Sequence, residues 1–457
     1  MNLEDKIVPE KLLPAIERFW DLSGRKILSI EQEYDVSKGS PVFTVKGKYT
    51  TKGWTEWTQG FQYGSAALQF DITGDQQFLE IAKKNTVDKM ASHVSHTGVH
   101  DHGFNNISTY GNLLRLMKEE KIPYNQWEKD FYELALKVSA TVQAGRWTKI
   151  KGGGFIYSFN GPHSLFVDTI RSVRVLMLGY ALGHQMMIEN DRKISLLRRA
   201  INHAISTAQY SVFYGEDRDI YDLWGRTAHE CIFNVNDGNY RCPNSQQGYT
   251  GFTTWTRGLS WAMLGFAEEL EFLDTLSDDE LRPFGGRRTI QDVFLKAARA
   301  TCDFYMKHSM ADGIPFWDTG APNLYKLGNC YKEISNPYNN VEPVDSSAAC
   351  IGAQALLRLG NYLKLKGNGI YEKYEEAGWQ IVDTLLKSPY LSESEAHQGL
   401  ILHSIYHHPN GWDYIPEGSK IPNGESSMWG DYHARELMLY AYRLLKGEPY
   451  YTFFNCL

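Results

Sequence analysis

Apolar residues recur at helical spacing along most of the 457-residue chain, and strand-like alternation is scarce. The periodic segments fall into two kinds. Segments 9–24, 76–94, 126–145, 192–213, 289–309 and 371–389 are charged, with one apolar stripe and one wet face each. Segments 57–70, 101–116, 163–183, 253–270, 345–360 and 429–447 are apolar nearly all round and rich in Gly, Ala and Ser. The two kinds alternate along the chain. Helices that are apolar on every side must be wrapped by others. The pattern therefore predicts an all-α fold in one domain over 1–457, an (α/α)6 toroid of six helical hairpins with the apolar set inside and 1–50 as an outer helix with an N-terminal extension.

The toroid predicts a rim. If every inner helix starts at the same end, Trp57, Asp101, the stretch His163–Asp168, Trp255–Arg257, Asp345 and Trp429–Asp431 converge on one pocket, where aligned helix N-termini favour anions. Asp345 and Asp431 also read as simple helix caps. Long connections at 215–249 and 407–428 suit functional loops.

Composition adds an aromatic share of 13%, which fits a large core and also rings that stack on sugar faces. A net charge of −7 excludes a nucleic-acid binder. The six cysteines form no CxxC pair, and the first residues, MNLEDKIVPEKLLP, lack a basic and apolar leader. No apolar run reaches membrane length. These features point to a cytoplasmic enzyme that contacts no membrane, or to a periplasmic one if a signal segment has been removed.

The stretch SHTGVHDHGFNNIS, 95–108, gathers His96, His100, Asp101 and His102. A metal site is one reading. Against it, Gly98 and Gly103 interrupt any helix there, and no HExxH or Cys/His pairing supports zinc. The other reading places His100 and Asp101 at a helix start facing a polar substrate, with His93, His96 and His102 in the wall. Asp168 is the second candidate carboxylate. Its neighbours Phe166, Val167 and Ile170 would raise its pKa toward that of a general acid, whereas an ion pair with Arg171 would lower it.

The order of several motifs resembles the unsaturated glucuronyl hydrolases of glycoside hydrolase family 88, over about Trp57 to Leu444. WTQGF at 57–61, HDHGF at 100–104, VDTI at 167–170 and QGYTGFTTWTRGLSWAMLGF at 247–266 carry it, followed by DGIPFWD at 312–318, DSSAA at 345–349 and WGDY at 429–432. The resemblance implies the same (α/α)6 fold. It implies Asp168 as general acid and base and Asp101 as the second carboxylate. His100, His229, Gln247 and Arg257 would hold a uronic acid, with Trp57 and Trp261 as apolar walls. Arg171 and Arg174 depart from the apolar run usual after that aspartate. The implied partner is an oligosaccharide ending in a 4,5-unsaturated uronate, with no metal and no other cofactor. Family 105 rhamnogalacturonyl hydrolases, a sugar epimerase and a sugar-binding protein on the same fold are the alternatives. The rim loop 407–428, with Trp412, Tyr414, Ser419 and Lys420, is the expected selector of the next sugar, Ser419 and Lys420 as a sulfate site.

Overall fold

The computed structural model describes every residue except 5, 54 and 55. The outer helices are α1 (Leu13–Glu33), α3 (Gln76–Lys89), α5 (Gln126–Gly145), α7 (Leu196–Tyr210), α9 (Arg287–His308) and α11 (Tyr371–Leu385). The inner ones are α2 (Gln59–Thr73), α4 (His102–Asn106, Ile107–Gly111 and Asn112–Lys118), α6 (Thr169–Ser172 and Arg174–Ala181), α8 (Thr256–Leu273), α10 (Ser346–Leu365) and α12 (Met428–Lys446). Each inner helix packs on the next, and α12 packs back on α2, so the ring closes as the (α/α)6 toroid that the hydrophobic pattern predicts. Outer helix α1 lies against both α2 and α12 at the closure.

Local sequence sets these elements. Asp75, Asn125, Ser195 and Ser427 cap α3, α5, α7 and α12 through their side chains, and left-handed Gly74 and Gly447 end α2 and α12. Every residue of α8 is buried, which explains its lack of a polar face. Close approach between inner helices needs glycine. A Cβ on Gly60 would meet Asn105 Cα at 2.4 Å, and one on Gly64 would meet Ser108 O at 2.5 Å. The α4 backbone at that contact is a π-helical turn, Ile107–Gly111.

Two expectations need correction. Residues 163–168 do not open an inner helix: Ser164–Phe166 is a strand, and α6 starts only at Thr169. The connection 215–249 is not all loop, since Glu230–Phe233 and Tyr240–Asn244 join that strand in one antiparallel sheet. Strands of three to five residues are too short to show a period.

The axis beneath the inner helix starts is filled by buried ion pairs. Arg171 bonds Glu268 through Nε (3.0 Å) and Glu436 through Nη2 (2.6 Å), and Arg174 bonds Glu268 (3.1 Å). Arg358 donates to Glu271 and to the carbonyl of Tyr451 in the C-terminal segment. No helix among the described residues is long and apolar enough to cross a membrane.

Candidate active site

The starts of α2, α4, α6 and α8 meet at a cavity of about 670 Å³, whereas Asp345 and Trp429–Asp431, expected at the same pocket, lie outside its lining. Seven of the eight residues expected to catalyse or to bind substrate line it: Trp57, His100, Asp101, Asp168, Gln247, Arg257 and Trp261. His229 stands behind the wall, packed on Phe166 and Trp255, with Nε2 3.8 Å from Asp168 Oδ1.

Asp101 and Asp168 occupy the N-cap positions of α4 and α6, yet neither side chain caps its helix. Asp345, at the corresponding place on α10, does cap, accepting from the Ser347 N–H. The two uncommitted carboxyls instead face a common imidazole. His100 Nε2 donates to Asp168 Oδ2 at 3.0 Å and lies 3.7 Å from Asp101 Oδ1. Both aspartates are 8% exposed, and His100 is 1% exposed.

Burial and environment divide the charges. Burial pushes Asp168 up, but the hydrogen bond and charge of His100, with His229, bring it below its ordinary value. Asp101 is raised: burial dominates, His100 opposes it, and the Asp168 charge adds to it. His100 is raised because Asp101 and Asp168 outweigh its burial. Burial takes His229 down to about 4. Its Nδ1 accepts the backbone N–H groups of Gln246 (3.1 Å) and Gln247 (3.3 Å), so its neutral form carries the proton on Nε2, toward Asp168. The expected apolar elevation of Asp168 is therefore reversed, and not by Arg171, which turns away into the buried ion pairs.

The spacing of the two carboxylates is built into the α4–α6 contact. Gln143 Nε2 from α5 donates to the His100 carbonyl at 2.6 Å and to Ser172 Oγ at 2.8 Å. Ser172 Oγ also accepts the Gly103 N–H at 3.0 Å. A Cβ on Gly103 would sit 1.9 Å from Ser172 O, so only glycine allows this approach. Arg174 adds a bond to the Gly103 carbonyl at 3.1 Å.

Arg257 is placed otherwise than a free uronate ligand. Its two terminal nitrogens bond Asp345 (3.3 Å), the carbonyls of Ile405 and Tyr406, and Gln247 Oε1 (2.7 Å). Gln247 thereby keeps its NH2 group as the donor for a ligand. Trp57 stacks on Trp429 at 5.2 Å, and Trp261 packs on Phe104 at 4.9 Å. Of the three histidines expected in the wall, His96 lines the cavity, whereas His102 and His93 lie behind it, bonded to Ser139 and Gln59.

His100, Asp101 and Asp168 each offer one ligand atom within 4.8 Å of the others. A tetrahedral zinc site brings its ligand atoms to about 3.3 Å of one another. The wider set, already joined by a hydrogen bond, suits proton transfer better than coordination. The rim loop divides. Trp412, with His407 and Asn410, lines the cavity, whereas Ser419 and Lys420 lie outside the lining and bond Asn340. Phe159 and Tyr406 also line the cavity and were missed. Phe159 sits in a turn with no periodic signal, and its ring lies parallel to His100 at 6.2 Å.

Comparison with known proteins finds relatives along most of the chain. An unsaturated glucuronyl hydrolase of Formosa agariphila is 24% identical over 388 residues, 84% of this chain and 79% of that protein. A second, from Bacillus sp. (strain GL1), is 24% identical over 419 residues, 89% of this chain and 90% of that protein. The crystal structure of unsaturated glucuronyl hydrolase from Bacillus sp. GL1 superimposes with a TM-score of 0.69 at 21% identity, covering 93% of this chain and 96% of that one. The sequence model of Glycosyl Hydrolase Family 88 matches residues 38–304, more than half of the chain, and the chain belongs to that family.

Proposed function

We propose that this glycoside hydrolase binds a 4,5-unsaturated uronic acid at the non-reducing end of a short oligosaccharide and hydrates its C4=C5 bond. The observation that carries the reading is the pair of N-cap carboxyls, Asp101 and Asp168, that leave their helices uncapped and meet across His100 in an aromatic-walled cavity. The C4=C5 bond is an enol ether. Asp168 protonates C4, and cationic character develops at C5 and the ring oxygen. The resulting carboxylate takes a proton from the water that attacks C5, and the hemiketal opens to release the next sugar. One acid–base group and water suffice. In the free enzyme the proton that Asp168 delivers rests on His100, 3.0 Å away, and crosses to the carboxyl when substrate displaces water. Asp101 holds a sugar hydroxyl, Gln247 donates to the uronate, Trp57 and Trp261 wall it, and Arg257 and His229 keep these groups in place. We take residues 1–457 as one catalytic domain, because α1 completes the ring between α2 and α12.

One observation favours a second assignment, in which Asp101 is the donor: burial holds its carboxyl above the ordinary range while Asp168 is held below it. Asp168→Asn and Asp101→Asn, assayed on lyase-generated unsaturated disaccharides, separate the two. With Asp168 as acid and base, Asp168→Asn lowers kcat by about 10²- to 10⁴-fold while binding persists, and Asp101→Asn acts chiefly on KM. The converse pattern moves the acid to Asp101, and full activity in both variants contradicts the site.

A further inference from the structure

Outer helix α5 is apolar on two faces. Its inner face packs Tyr132, Leu136 and Ala140 into the core. Its outer face carries Trp127, Phe131, Leu134 and Val138. At 100° per residue these four side chains fall within a narrow stripe, in the alternating four- and three-residue spacing of a coiled-coil seam. Trp127 is 70% exposed and Leu134 59%, and Trp127 stacks flat on Phe131 at 5.4 Å. Exposed Tyr124 precedes the N-terminal end of the stripe. Near its C-terminal end lies the hairpin of Met186–Ile188 with Arg192–Ile194, where Met187 is exposed and Met186 approaches Gly145.

We propose that this stripe is the contact surface for a second copy of the same chain, paired antiparallel along α5. Three features select that occupant. The seam spacing asks for another helix with the same spacing, and α5 itself supplies it. Antiparallel pairing sets Trp127 against Val138 of the partner and Phe131 against Leu134, so large residues meet smaller ones in every layer. The same two-fold operation brings Asp130, which flanks the seam, beside Lys137 of the partner, twice by symmetry. The apolar ends also match, Tyr124 of one chain lying toward the Met187 hairpin of the other. The stripe from Trp127 to Val138 is only about 16 Å long, so the contact is small and the dimer is of micromolar strength.

Sedimentation equilibrium of the full chain tests this between about 1 and 200 µM, bracketing the micromolar midpoint. The weight-average mass is expected to rise from 52.3 kDa toward twice that value. Leu134→Glu should remain monomeric throughout, with its circular dichroism and hydrolytic activity unchanged, since Leu134 touches neither the core nor the cavity wall. Asp130→Lys and Lys137→Asp should each weaken association several-fold. An equimolar mixture of the two single variants should regain it, because the mixed pair restores both opposite-charge contacts. A wild-type chain that stays at 52.3 kDa at the highest concentration overturns the proposal. So does association that Leu134→Glu leaves intact, and a mixture no tighter than either variant alone overturns the antiparallel register.

Discussion

Asp101 and Asp168 are chemically alike and both sit at helix starts, yet their surroundings push them apart. Raised Asp101, raised His100 and lowered Asp168 form a group in which the protons are shared unequally and titrate together. This predicts the direction of a pH shift. His100 is the main counterweight to the burial of Asp168, so His100→Asn lets burial and the Asp101 charge raise the Asp168 carboxyl. Asp168 must hold its proton to act as the acid, so the alkaline limb of kcat/KM passes from the raised His100 to this carboxyl and moves to lower pH. Arg171→Met should leave that limb in place, because Arg171 is bonded to Glu268 and Glu436 instead. It should lower stability by about 3–5 kcal/mol, because Glu436 is left buried without its cation while Glu268 keeps only Arg174, read as a lowered thermal midpoint. A limb that moves in Arg171→Met and not in His100→Asn would assign the control of Asp168 to the wrong cation. The candidate residues were legible from residue type and motif order. Which of them would bond to which was not, because Asp168 and Arg171 are three apart in sequence while Arg171's partners, Glu268 and Glu436, lie on α8 and α12.

At the scale of elements, the helices were legible wherever one face is buried and the other wet, as in α1 and α7. The short strand at Ser164–Phe166 was not, because its three buried residues continue an apolar run that also fits a helix. The π-helical turn in α4 was equally silent in sequence, although Gly60 and Gly64, which face it, were visible as part of a glycine-rich inner helix. The functional consequence lies in the α4–α6 contact. Gly103→Ala would force the two carboxylate-bearing helix starts apart, since the new methyl group meets backbone and not a movable side chain. The expected cost is about 1–3 kcal/mol of stability. We expect kcat to fall at least tenfold at temperatures where the variant is fully folded, as misplaced catalytic groups lose effective proximity. Unchanged kcat in folded Gly103→Ala would show that the helix contact does not set the catalytic spacing. Ser172→Ala removes the shared hydroxyl without adding volume, and should lower kcat with a smaller change in thermal midpoint.

The whole molecule is a ring that brings the starts of four inner helices, α2, α4, α6 and α8, to one cavity and fills the axis below them with ion pairs. Alternation of wet and apolar helices was enough to infer the ring and the end at which the site lies, since each apolar helix opens with the polar or aromatic residues that the core cannot accept. The sequence was less informative about the rim. Trp412 reaches the cavity while Ser419 and Lys420 do not, so the sulfate contact expected of that pair has no support from their position. The central claim is that the reaction takes place at the C4=C5 bond and not at the glycosidic carbon. An ordinary glycosidase would release the terminal uronate with its double bond, and hence its ultraviolet absorbance, intact. The most direct measurement therefore follows absorbance loss and sugar release together on one lyase-generated unsaturated disaccharide. The account predicts one enuronate chromophore lost for each sugar released, with both processes slowed equally in Asp168→Asn. Sugar release that leaves the chromophore in place would contradict it.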